Sequence, residues 1–251
     1  MTTYPLGLVL SGGGARGFAH LGVAKALAEK GILPDIISGV SAGAIAGAFL
    51  ASGMNPDDIF NLLIQQDFMK ISTFKLSKQG FIRLDGLKHQ IKLHIPYKNL
   101  EDLPTPLIVG ACNLNKGRME YFSTGPLAET VLASSSIPIL FSPVKLGDQI
   151  YVDGGVLDNL PIKPIRKLCE KVIAVNISPI HDTDKLDNLL QIATRVFHVS
   201  VDKSTIKSGK LADLYIEPPG VDHYDILRLK YAEELFQIAY DYTKELISNG
   251  F

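Results

Sequence analysis

The run Ile36-Ile37-Ser38-Gly39-Val40-Ser41-Ala42-Gly43-Ala44-Ile45-Ala46-Gly47-Ala48-Phe49-Leu50-Ala51 decides the fold. Its first five residues, Ile36–Val40, are mostly apolar and read as a buried strand. Ala42–Ala51 reads as a helix of small residues that closes at Ser52-Gly53. Between them lies Gly39-x-Ser41-x-Gly43. A serine held on a sharp strand-to-helix turn is forced toward strained backbone angles, so its neighbours must be small. Gly39, Gly43, Ala42 and Ala44 meet that need. Such a turn projects the Ser41 hydroxyl outward and aims the free N–H groups of the helix start at a reacting carbonyl. Taken alone, the motif has a weaker alternative reading as a glycine-lined helix entry with a capping serine.

Upstream, Leu6–Leu10 reads as a first buried strand that runs into Ser11-Gly12-Gly13-Gly14-Ala15-Arg16-Gly17. Three consecutive glycines let backbone amides converge on an anion without side-chain interference. Gly12-x-Gly14-x-x-Gly17 satisfies a dinucleotide fingerprint, which also wants an acid at the end of the second strand. Asp35 precedes that strand, and the strand's end carries Ser41 instead, so a Rossmann-like nucleotide-binding module is the weaker alternative. A P-loop fails because no Gly-Lys-Ser/Thr follows. In a parallel sheet both strand ends open on one edge, which sets the glycine loop beside Ser41 as an oxyanion hole. Gly13 and Gly14 are the expected amide donors; Arg16 either neutralises charge nearby or holds the loop by hydrogen bonds.

Further along, short apolar runs alternate with amphipathic stretches, the pattern of an α/β fold with a mainly parallel sheet. Leu21, Ala24, Leu27 and Ala28 mark a first helix capped by Gly31, and Asn55-Pro56 starts a third. From Gln65 to Lys98 the pattern weakens. Phe68, Met69, Ile71, Phe74, Phe81 and Ile82 there suit a core-packed helix, an acyl-chain groove or a lid. Leu107–Cys112 reads as a central strand followed by Met119–Ser123. Val144–Leu146 and Ile150–Val152 form a hairpin across Gly147-Asp148, and Val172–Ile177 is a further buried strand. An amphipathic helix carrying Leu235, Ala239, Tyr242 and Leu246 ends near Gly250. No repeat or low-complexity segment interrupts this order.

A hydrolase also needs a base. His181, His198 and His223 are the positional candidates for a triad histidine, yet none has a distinctive setting, and His20 suits a packing or loop-bonding role. Asp153-Gly154-Gly155 ends the apolar run Ile150-Tyr151-Val152, so its carboxylate projects from a strand end. By itself the same tripeptide is a common turn.

The chain has 251 residues, 46% hydrophobic and 20% charged, with a formal net charge of −1. That is one ordinary globular domain with no global basic field for nucleic acid. Cys112 and Cys169 lie in apolar runs without CxxC spacing and read as buried free thiols. The apolar run Leu6–Leu10 is too short for a signal peptide or a membrane span, so cytoplasmic residence, peripheral to the membrane at most, is the expectation.

In order, Gly12–Gly17, Gly39–Gly43 and Asp153–Gly155 resemble the patatin-like phospholipase family, with no departure at any motif position. Ala133-Ser134-Ser135-Ser136-Ile137-Pro138, running on to Phe141 and Pro143, resembles the family's segment before the aspartate. Asp158-Asn159-Leu160-Pro161 resembles the one after it. The resemblance implies a three-layer α/β/α domain whose catalytic region spans residues 6–167, with 168–251 completing it. It implies a Ser41–Asp153 dyad, in which Ser41 attacks an ester carbonyl and Asp153 takes its proton. The oxyanion falls to Gly12, Gly13 and Gly14, with the Ala42 amide contributing; Arg16, Gly17, Gly39, Gly43, Gly154 and Gly155 support the motifs. The implied substrate is a lipid or other ester, reached by transient contact with a membrane surface. An acyltransferase of the same fold is the alternative. No metal or organic cofactor is implied, since histidines and cysteines are not clustered.

Overall fold

A computed structural model describes residues 3–65, 84–180, 204–226 and 228–248, with isolated positions 182, 186, 192, 195, 196 and 199. The chain enters as β1 (Tyr4–Leu10), turns through the glycine loop into α1 (Phe18–Glu29), and continues as β2 (Ile36–Gly39), α2 (Ala42–Ala51) and α3 (Pro56–Gln65). After α4 (Asp85–His94) come β3 (Leu107–Asn113), β4 (Arg118–Phe122), α5 (Leu127–Ser134) and the hairpin β5 (Val144–Leu146) and β6 (Gln149–Asp153). A short α6 (Lys163–Arg166) precedes β7 (Cys169–Val175) and β8 (Leu214–Ile216), and α7 (Ala232–Ser248) follows.

Hydrogen-bonded neighbours run β5-β6-β3-β2-β1-β7-β8, with β4 also paired to β3. From β3 to β8 the path is parallel; β4, β5 and β6 pair antiparallel. The registers along β3 position the site. Ala111, Cys112 and Asn113 each pair with both β4 and β6, and Val109 pairs with both β2 and β4. A strand has two edges, so β2 and β6 share the edge opposite β4. β2 runs up that edge to Gly39 opposite Val109, and β6 runs down it to Asp153 opposite Ala111. Two chain ends therefore meet head-on.

Period-2 alternation distributes the sheet's side chains between two faces. Leu8, Leu10, Ile37, Leu107, Val109, Ile173 and Val175 join one large core with the apolar faces of α1 to α5 and α7. Val9, Ile36, Val172 and Ala174 face the other way and pack on Leu160, Ile162 and Ile165, around α6. Each such aliphatic side chain contributes about 1.5–3 kcal/mol when fully buried. Among the described residues of these two clusters, six helices cover the first face and α6 lies against the second. Cys112 and Cys169 are buried free thiols.

Most expected elements appear with small shifts. Gly31 closes α1 at φ +73°, Asn55 Oδ1 accepts the Asp57 N–H at 2.9 Å, and Gly147 turns the hairpin at φ +58°. The strand expected over Val172–Ile177 begins earlier, because Tyr4 already pairs with Cys169. Helix α4 lies inside the stretch whose pattern was weak, and α5, α6 and β8 carried no reading of their own. The groove or lid expected from Phe68 to Ile82 lies outside the described residues.

Candidate active site

Ser41 occupies the turn between β2 and α2 with φ 53° and ψ −123°, backbone angles that cost a non-glycine residue on the order of 1–3 kcal/mol. Small neighbours are required there: a Cβ on Gly39 would lie 2.5 Å from the Gly43 carbonyl oxygen, and one on Gly43 would overlap the Leu10 carbonyl. Hydrogen bonds from the end of α5 hold the strained residue. The Ser41 N–H donates to Ser134 Oγ at 2.9 Å, and that hydroxyl donates to the Gly110 carbonyl at 2.6 Å. Ser135 Oγ donates to the Ser41 carbonyl at 3.3 Å.

Asp153 ends β6 and is 1% exposed. Its carboxylate accepts the Gly155 N–H at 2.8 Å and lies beside the Ser41 side chain. Burial pushes its pKa up to about 7, with the Ser41 side chain and the Gly155 N–H opposing the rise. Gly154 packs against the Gly110 carbonyl and Val40, where a Cβ would come within 2.6 and 2.7 Å. Beyond it the Tyr121 hydroxyl donates to Asp158 at 2.5 Å, tying the turn to β4.

The glycine loop follows β1 on the same sheet edge. Gly14 has φ +57° and lies against the Ile226 carbonyl, which accepts the Ala15 N–H at 2.7 Å. Gly17 packs on Ala42, where a Cβ would sit 2.9 Å from that side chain. Arg16 is buried and donates to the carbonyls of Tyr224 and Asp222, both at 2.8 Å. Of its two expected roles it takes the loop-holding one, although burial lowers its pKa to about 10. His20 is buried and kept neutral, its pKa lowered to about 4 by burial; Nε2 donates to the Ser11 carbonyl at 2.8 Å.

One expected donor needs correction. The Gly12 N–H is already engaged with the Asn159 carbonyl at 3.2 Å, because the segment after Asp153 folds back against the loop. The amides of Gly13, Gly14 and Ala42 have no hydrogen-bond partner among the described residues. Gly12, Gly13 and Gly14 line a cavity of about 10 Å³ with Ser41, Asp153 and Asn159, room for about one oxygen-sized atom. Ser41 also borders a second, larger cavity of about 130 Å³, walled mainly by Phe18, Leu21, Ala46, Leu87, Phe141 and Leu229. The elbow thus stands between a polar notch and an apolar slot.

Other candidates lie elsewhere. His223 is exposed beside Asp222, and His181 and His198 fall outside the described residues. Ser134 and Ser135 entered the sequence reading only as part of a motif segment, and Asn159 likewise. Ser178, which bonds the Gly12 carbonyl, carried no signal at all, since only β7 brings it there.

Comparisons with known proteins place the chain in a family. The model of the patatin-like phospholipase family matches residues 8–166. An NTE family protein of Mycobacterium tuberculosis is 30% identical over 213 residues, covering 79% of this chain and 59% of the relative. The lysophospholipase NTE1 of Meyerozyma guilliermondii is 25% identical over 285 residues, covering 97% of this chain and 19% of its own length. This chain therefore spans only part of each curated relative. Among solved structures, VipD from Legionella pneumophila superposes with a TM-score of 0.57 at 18% identity, over 98% of this chain and 67% of that one, a likeness of fold. With an elbow serine, a glycine loop and a strand-end aspartate inside the stretch matched by the family model, this chain belongs to the patatin-like phospholipase family.

Proposed function

We propose that this chain is a lipid acyl hydrolase that cleaves carboxylic esters through a Ser41–Asp153 dyad. One observation carries the reading: Ser41 and a buried Asp153 line one oxygen-sized notch, and Ser41 also borders an apolar slot. In acylation Ser41 Oγ bonds to the ester carbonyl carbon as its proton passes to Asp153. The carbonyl oxygen becomes an oxyanion in the notch, facing the amides of Gly13, Gly14 and Ala42. Donors of this kind contribute about 3 kcal/mol each to stabilising the transition state of serine hydrolases. The carbon–oxygen bond to the leaving group then breaks, and Asp153 returns the proton to the departing alkoxide. Water next attacks the acyl-Ser41, giving its proton to Asp153, and the collapse returns that proton to Ser41 as the fatty acid leaves.

The apolar slot suits the acyl chain of the ester, and the lysophospholipase name of the fungal relative points to a monoacyl phospholipid as the first substrate to try. The test pairs a fluorophosphonate probe with lysophosphatidylcholine hydrolysis in wild type, Ser41→Ala and Asp153→Asn. The expected result is labelling and fatty-acid release by wild type alone. Labelling that persists in Ser41→Ala, or a folded wild type that neither labels nor releases fatty acid, overturns the reading.

A further inference from the structure

We infer that Ser178 is a positioning residue which turns the Gly13 amide toward the oxyanion, an inference that rests on the hydrolase reading above. Every peptide bond in the loop is trans, so the carbonyl of one residue and the N–H of the next point in opposite directions. The first peptide of the loop follows this rule: the Ser11 carbonyl faces His20, and the Gly12 N–H faces Asn159 on the other side. In the second, the Gly12 carbonyl accepts the Ser178 hydroxyl at 2.7 Å and the Ser11 hydroxyl at 3.1 Å. Both donors lie toward the loop that follows β7. The Gly13 N–H is therefore turned away from that loop, and Gly13 lines the notch beside Ser41 and Asp153.

A flipped peptide would present the Gly12 carbonyl oxygen to the notch and repel a developing oxyanion. Ser178 supplies the shorter of the two bonds against that flip. It is itself braced, for its N–H donates to Asn176 Oδ1 at 3.2 Å. The Asn176 amide nitrogen donates to Tyr215 Oη at 3.0 Å and to Glu217 Oε2 at 2.7 Å, which fixes which end of the amide faces Ser178. Ser11 Oγ is similarly held by the Ile177 N–H at 3.0 Å. The loop packs directly on this support, since a Cβ on Gly13 would come within 2.9 Å of Ser178 Oγ.

The experiment measures kcat and KM for a soluble short-chain ester, and Ki for a trifluoromethyl ketone that forms a tetrahedral oxyanion adduct. Ser178→Ala is expected to lower kcat by roughly 10- to 100-fold with KM within about twofold, and to weaken the ketone in proportion to kcat/KM. Ser178→Thr, which keeps the hydroxyl, is expected to restore most of kcat. If Ser178→Ala does not fold, Ser178→Cys, with its weaker donor, is read the same way. An unimpaired Ser178→Ala beside an active wild type overturns this inference alone. So does a loss that appears only in KM or that leaves the ketone's Ki unchanged. A wild type that neither labels at Ser41 nor turns over ester overturns the hydrolase reading first, and this inference with it.

Discussion

In the proposed mechanism Asp153 acts as a base while buried, and burial has already moved its pKa from 3.8 to about 7. A carboxylate must be ionised to accept the Ser41 proton. Ester kcat/KM is therefore expected to rise with pH through about 7 and level off above it. A profile flat from about pH 5 to 9 would contradict a base with a raised pKa. The same shift has a consequence for stability. Because the folded value exceeds the unfolded one, the native state holds the extra proton between the two. The stabilisation is present below 3.8 and is lost as pH rises through about 7. Asp153→Asn, neutral throughout, should therefore gain Tm relative to wild type on going from pH 5 to pH 8. It should also lose roughly 10²- to 10⁴-fold in kcat. Thermal melts at the two pH values check the first outcome, and steady-state hydrolysis the second. The identity of Asp153 as a candidate was legible from its place at a strand end; its proton affinity was not, because that depends on what surrounds it.

Helix α5 shows how an element without a distinctive sequence signal can hold a site together. Its last residues bring Ser134 and Ser135 against both backbone polar groups of Ser41. Ser134 also donates to the Gly110 carbonyl of β3, linking the elbow to the strand edge on which Asp153 pairs. Ser134→Ala removes the acceptor for the Ser41 N–H and the donor to Gly110 in one step. It is expected to cost about 1–3 kcal/mol in urea unfolding, the penalty for leaving buried groups unpaired. Fluorophosphonate labelling at Ser41 should slow as the elbow relaxes; unchanged labelling at reduced stability would restrict α5 to a packing role. By contrast α2 was read to its exact bounds, since Ala-rich sequence, a preceding strand and Ser52-Gly53 all agree. Helix α4 was not, because Gln90 is buried among its apolar contacts while Leu93 is exposed, which blurs the helical period.

At the scale of the whole molecule, the apolar slot joins α1, α2 and α4 to the loops at Phe141 and Leu229. Ala46 lines it five residues beyond Ser41, about 7.5 Å along the helix. Filling that point with Ala46→Leu should leave room for a short acyl chain and obstruct a long one. Across p-nitrophenyl esters from acetate to palmitate, kcat/KM should fall by roughly tenfold or more for the long members and little for the short ones. An equal loss at every length would mean that the slot does not hold the acyl chain. What the sequence by itself determined is the set of local conformations: a strand into a glycine loop, a strand into an elbow, an Asp-Gly-Gly at a strand end. Each follows from steric rules acting over a few residues. What only the tertiary structure decided is how these pieces meet. β2 and β6 approach head-on along one edge of β3, the Gly12 amide is consumed by Asn159, and Ser178 arrives beside Gly12 from 166 residues away. Strand register and packing across the sheet set those encounters, and neither is written in any single local stretch of the chain.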